Sequence, residues 1–283
     1  MPELRDAIVE LYRRAATSLP VDVENALKSS FRREDAGSNA KVALSTILKN
    51  ADIARRTSRP ICQDTGVPVF FLKVPAGFSH LKLREEIFKA TRIATREIPL
   101  RPNAVDVLTD KNSGDNTGIG FPVIYIEETG SKRLTIDLML KGSGSENIGQ
   151  LYKLPIAELG AERDLEGVRR CVLDAVNMAQ GRGCPPYILG VGIGAAKDQV
   201  TRIAKEQLIR NIGDSNEYKV LSRLEKDLLK DINRLGIGPL GLGGRTTAIA
   251  VKIGVNHRHP ASYFVDVSMA CWADRRARLI VKS

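Results

Sequence analysis

Pro60-Ile61-Cys62-Gln63-Asp64-Thr65-Gly66 sets a thiol, an amide and a carboxylate in direct succession, between a proline that stiffens the chain and a glycine that permits a sharp exit. Such a run is chemistry on a loop, not core packing. Its flanks say which loop. Val67 to Lys73 reads as a strand with Pro68 near its start, where a missing donor is tolerated. Upstream, residues 3–56 read as three helices: Ile8, Leu11, Tyr12 and Ala15 form one apolar stripe, and Pro20 and Asp22 open a second helix through Leu27 to Phe31. Ser38 caps a third, with Val42, Leu44, Ile47, Leu48 and Ile53 inside. The run therefore joins a helix to a strand.

Further along, a helix is expected at about 81–98, then turn-rich sequence from Pro99 to Gly118. Two strands at about 121–127 and 133–140 alternate enough to form a hairpin, and they deliver Lys141-Gly142-Ser143-Gly144-Ser145-Glu146-Asn147. That stretch is either an exposed loop or a place where backbone N–H groups approach an anion, with Ser145 and Asn147 as added donors. Leu165 to Ala179 is an amphipathic helix. The strand Tyr187 to Gly194 follows, and its alternate glycines imply close approach by a ligand or a packed helix. Their spacing is not that of a dinucleotide-binding loop. Helices at about 199–210 and 216–234, a second glycine-rich loop at 236–245, and strands at 246–253 and 263–267 complete the pattern. The expected class is α+β: a helical N-terminal lobe at about 1–56, then a mixed sheet with packed helices, in one domain.

Composition narrows the function classes. A chain of 283 residues with 43% hydrophobic residues fills a real core. No stretch approaches the roughly 18 uninterrupted apolar residues of a membrane span, and the N-terminus lacks a signal-peptide core, so a cytoplasmic protein is expected. The net charge of +10 suits an anionic substrate or an acidic partner; with 5% aromatics and scattered basic pairs, nucleic-acid binding is not expected.

Four cysteines in such a setting are read one by one. Cys171 falls on the apolar stripe of its helix and reads as a small buried hydrophobe. Cys62, Cys184 (in Gly183-Cys184-Pro185-Pro186) and Cys271 (in Ala270-Cys271-Trp272) each stand on a loop at the edge of a strand or helix. Three such thiols suit a [4Fe-4S] cluster whose fourth iron has no cysteine ligand and is free to act as a Lewis acid. A structural zinc site using His259, or an iron–sulfur sensor, are the rival readings. Gln63 and Asp64 beside the first ligand speak against a sensor.

Taken in order, Ile61-Cys62-Gln63-Asp64-Thr65-Gly66, Lys141 to Asn147, Gly183-Cys184-Pro185-Pro186, Gly241-Leu242-Gly243-Gly244 and Ala270-Cys271-Trp272 resemble the alpha subunit of class I fumarate hydratases and the related L-tartrate dehydratases. The resemblance covers nearly the whole chain. It implies a hydro-lyase whose oxygen-sensitive [4Fe-4S] cluster is held by Cys62, Cys184 and Cys271. It implies substrate contacts from Gln63 and Asp64, with Asp64 holding the departing hydroxyl, and places His259 beside a bound 2-hydroxydicarboxylate. Arg101 and Lys141 are candidate carboxylate partners. The base that removes the C3 proton is expected on a separate beta subunit, in a heterotetramer or larger assembly.

Overall fold

The computed structural model describes residues 2–282, which fall into two compact units. One comprises residues 2–20, 49–143 and 273–282; the other comprises Val21–Leu48 and Gly144–Trp272. In chain order the elements are α1 (Pro2–Thr17), α2 (Val21–Arg33), α3 (Asn39–Thr57), β1 (Val67–Pro75), α4 (His80–Glu97), β2 (Val123–Thr129) and β3 (Arg133–Lys141). There follow a single helical turn α5 (Ser143–Glu146), β4 (Gln150–Lys153), α6 (Leu165–Ala179), β5 (Tyr187–Gly194), α7 (Lys197–Gln207), α8 (Lys219–Arg234), β6 (Ala248–Val255), β7 (Phe264–Ala270) and β8 (Arg276–Lys282). The class is α+β, as expected. Among the described residues no helix is long and apolar enough to cross a membrane.

The three N-terminal helices form for the reasons read from the sequence. Ile8, Leu11, Tyr12 and Ala15 are fully buried, and Ser38 Oγ caps α3 by accepting the Lys41 N–H at 3.2 Å. Two residues placed inside α3 face outward instead: Val42 is 60% exposed and Ile53 43%. The buried stripe runs through Ala40, Ala43, Leu44, Ile47, Ala51 and Ala54, and at 100° per residue both lie on the opposite side of the helix.

The strands make two four-stranded mixed sheets where one was expected. In the first unit the order is β2-β1-β3-β8, so β2 and β3 do not form the anticipated hairpin. β1 lies between them, parallel to β2 and antiparallel to β3. Its continuous apolar run from Val69 to Leu72 is buried residue by residue, which suits a central strand, whereas β2 is half-exposed and suits an edge. Phe70, Leu72, Ile136 and Leu138 share a core with Tyr12 of α1 and with Leu83 and Ile87 of α4. Each such side chain, fully buried, contributes about 1.5–3 kcal/mol.

In the second unit the order is β4-β7-β5-β6. Leu189, Val191 and Ile193 of β5 share a core with Val168, Cys171 and Val172 of α6 and Leu228 of α8. The alternate residues Gly190 and Gly192 take the other face. A Cβ at Gly190 would lie 2.0 Å from the Ala204 carbonyl oxygen, and one at Gly192 2.1 Å from that of Val200, both on α7. The glycines of β5 therefore serve a packed helix. Gly192→Ala should cost about 3 kcal/mol of stability, read as a lowered denaturant midpoint. A change below about 0.5 kcal/mol would mean that α7 is not pressed against β5.

Candidate functional site

In the first unit the site is built on the loop between α3 and β1. The Ile61 N–H donates to the Ala16 carbonyl at 2.9 Å, and Asn50 Nδ2 to the Ile61 carbonyl at 2.9 Å, so the loop is anchored just before Cys62. Cys62 and Asp64 are half-buried and Gln63 is exposed. Both oxygens of Asp64 are engaged: Oδ1 accepts the Gly66 N–H at 3.0 Å and Oδ2 accepts the Ser143 N–H at 2.7 Å. Charge-assisted bonds of this kind are about twice as strong as neutral ones. The Lys141–Asn147 stretch does bring a backbone N–H to an anion, and that anion is the chain's own carboxylate. Gly66 allows the close approach. Its φ is +82°, and a Cβ there would lie 2.8 Å from the carbonyl carbon of Leu140.

Two further segments meet this loop. Lys141, 3% exposed, ends β3 opposite Val67. The Arg101 N–H donates to Thr65 Oγ1 at 3.1 Å, and Asn103 Nδ2 donates to the Gly66 carbonyl at 3.1 Å. Asn116 Nδ2 holds the Arg101 carbonyl at 3.0 Å, while the Arg101 side chain itself is exposed. Gln63, Asp64, Arg101 and Lys141 are thus neighbours along one loop system. Sequence reading missed two members of it. Asn103 carries an amide in a turn-rich run where such residues are common. Arg275 is buried and donates through Nη1 to the Asp64 carbonyl, but in the sequence it is one of several scattered arginine pairs.

In the second unit Cys184 and Cys271 come together. β5 and β7 are antiparallel, with Ile188 opposite Ala270, so the loop before β5 and the residues after β7 lie at one end of the sheet. The Trp272 N–H donates to the Cys184 carbonyl at 3.2 Å. Cys184 has φ +58°, a left-handed conformation that costs a non-glycine residue about 1–2 kcal/mol and persists only where surroundings impose it. Tyr187 helps impose it, since its hydroxyl accepts the Gly183 N–H at 3.1 Å and donates to the Gln180 carbonyl at 2.7 Å. Burial pushes this phenol up to about 12, so it stays a neutral donor at ordinary pH. The second glycine-rich loop supports the same turn through Leu240 N–H to the Pro185 carbonyl at 2.7 Å.

The structure does not bring His259 to this pair. It precedes β7, whose first residue, Phe264, is opposite Gly194 at the far end of β5. A strand of that length separates the two ends by about 20 Å. His259 is exposed, and its Nδ1 accepts the Ala261 N–H at 3.1 Å. His257 lines a cavity of about 500 Å³ at that same end, with Arg258 and Tyr263.

Among the described residues no three His, Cys, Asp or Glu side chains stand close enough to hold a metal ion. The donor chemistry of the cysteines nevertheless fits thiolate ligation. Cys184 is exposed, Cys62 and Cys271 are half-buried, and all three sit on loops. Cys171 is fully buried in the α6 core, and burial first, then the charge of Asp174, pushes its thiol up to about 12. Under native conditions at mildly alkaline pH, iodoacetamide should therefore modify Cys184 and leave Cys171 untouched until the chain is unfolded, as peptide mapping would show. Equal modification of both would contradict this placement.

Comparison with known proteins agrees with the sequence motifs. The family model described as "Fumarate hydratase (Fumerase)" matches residues 5–280. A Geobacillus stearothermophilus relative named "Putative fumarate hydratase class I" is 44% identical over 279 residues, 98% of this chain and 54% of that protein. A Methanocaldococcus jannaschii relative named "Putative L(+)-tartrate dehydratase subunit alpha" is 41% identical over 280 residues, covering 97% of this chain and 96% of its own. The "L(+)-tartrate dehydratase subunit alpha" of Escherichia coli K12 is 33% identical over 281 residues, with 99% and 91% covered. The chain thus spans about half the length of the first relative and nearly all of the other two. With a family model matched to residues 5–280 and relatives of 33–44% identity that cover nearly all of it, the chain belongs to the fumarate hydratase (Fumerase) family.

Proposed function

We propose that the chain is the cluster-bearing alpha subunit of a hydro-lyase that adds water to fumarate to give (S)-malate, and removes it in reverse. The observation that carries this reading is the double anchoring of Asp64, two residues after Cys62. With one backbone N–H on each carboxylate oxygen, each oxygen keeps a lone pair for a substrate hydroxyl in a fixed direction. Cys62, Cys184 and Cys271 would hold a [4Fe-4S] cluster, which when bound supplies a Lewis-acidic iron for carbon–oxygen cleavage.

The remaining roles follow from the chain's own groups. Gln63, exposed beside Asp64, offers an amide to the substrate. Arg101 and Lys141, at the two ends of the same loop system, supply positive charge for a dianionic substrate. His259 lies outside this set, because it stands at the opposite end of its sheet from Cys184 and Cys271. The base for the C3 proton comes from a beta subunit, in a heterotetramer or larger assembly; two of the relatives carry "subunit alpha" in their names. A reducing cytoplasmic setting suits ligand cysteines kept as thiols.

L(+)-tartrate dehydration is the second reading, favoured by the relatives that this chain matches along nearly their whole length. The choice of fumarate rests on the higher identity to the relative named for it. An anaerobic assay of the chain with its co-expressed companion subunit decides between them. The expected result is a kcat/KM for malate at least about tenfold above that for L-tartrate, in line with what a few polar contacts discriminate. Tartrate preference would replace the substrate, and inactivity on both would remove the hydro-lyase. In the active pair, Asp64→Asn should lower kcat by about 10²–10⁴-fold with a smaller change in KM.

A further inference from the structure

Arg275 is a buried cation of the first unit that stands apart from the groups assigned above. It is 2% exposed, and its backbone is fixed because its carbonyl accepts the Leu140 N–H at 2.8 Å. Nη1 donates to the carbonyl of Asp64, while Nε is buried with no hydrogen-bond partner. Its neighbours are paired: Arg276 Nε meets Asp274 at 2.8 Å, and Arg278 meets Asp137 at 2.6 Å. Among the described residues no carboxylate forms an ion pair with Arg275. A buried charge left this way is unfavourable unless an anion completes its surroundings.

We infer that Arg275 is a positioning residue: it holds the Cys62–Asp64 loop by the Asp64 carbonyl and is the fixed cation that balances the negative charge of ligated Cys62. Closure from solvent argues for an anion that resides in the protein over one that diffuses in, such as a substrate carboxylate. The hydrogen bond ties the guanidinium to the residue two places after Cys62, where a thiolate ligand would add that charge. The counter-charge rests on the cluster reading above, whereas the positioning role stands without it.

The test uses the full chain with Arg275→Lys, Arg275→Gln and Arg275→Met. In the cluster-free chain, Arg275→Met should raise amide hydrogen exchange at residues 61–66 by about tenfold while β1 and α4 keep their protection. Unchanged exchange in the loop would overturn the positioning role. After anaerobic reconstitution, Arg275→Gln, which keeps a donor but loses the charge, should show a more negative cluster reduction potential than wild type. Arg275→Lys should restore it. Equal potentials in the Lys and Gln variants would overturn the counter-charge. If the wild type takes up no cluster, the cluster reading and the counter-charge fall together, and the exchange experiment alone still decides the positioning role.

Discussion

The structure around Cys62 depends on one carboxylate. Asp64 accepts one N–H from Gly66, within its own turn, and one from Ser143, where β3 gives way to α5. The first bond fixes the exit of the loop into β1. The second ties that exit to a segment 79 residues away in sequence. Gly66 is required because β3 passes so close, and Thr65 then binds the Arg101–Asn103 segment from the other side. A loop carrying a thiol, an amide and a carboxylate would otherwise be free to move, and a catalytic group displaced by about 1 Å can lose 10²-fold in rate.

A second constraint acts on the other two cysteines, and it is one of topology. Antiparallel pairing of β5 and β7 returns the chain to the end from which β5 started, so residues 184 and 271 become neighbours although 87 positions separate them. The same pairing carries His259 to the opposite end. Hydrogen bonds from Trp272, Tyr187 and Leu240 then hold the Cys184 turn in a conformation that cysteine rarely adopts.

Much of this was legible in the sequence. The loop motifs could be read because proline, glycine and cysteine each impose a local requirement, and the helices because their stripes repeat every 3.6 residues. Strand order could not be read in the same way. That β1 separates β2 from β3 follows from which strand is most apolar once all are compared, a non-local choice. β4 has only Gln150–Lys153, and β8 hides its alternation among arginines, so neither stands out as a strand. Arg275 was unreadable for a related reason: its significance lies in its burial and in a partner 211 residues away, and neither leaves a pattern. The chain also passes between its two units four times, so no change of composition marks a boundary.

The proposed function requires that Cys62, Cys184 and Cys271 hold one cluster while Cys171 does not. Anaerobic reconstitution with iron and sulfide, followed by iron, sulfide and zinc analysis of the four single Cys→Ser variants and the wild type, tests it most directly. About four irons and four sulfides per chain are expected in the wild type and in Cys171→Ser, and loss of both in the other three. Equal behaviour of all four variants, or uptake of zinc without sulfide, would contradict it.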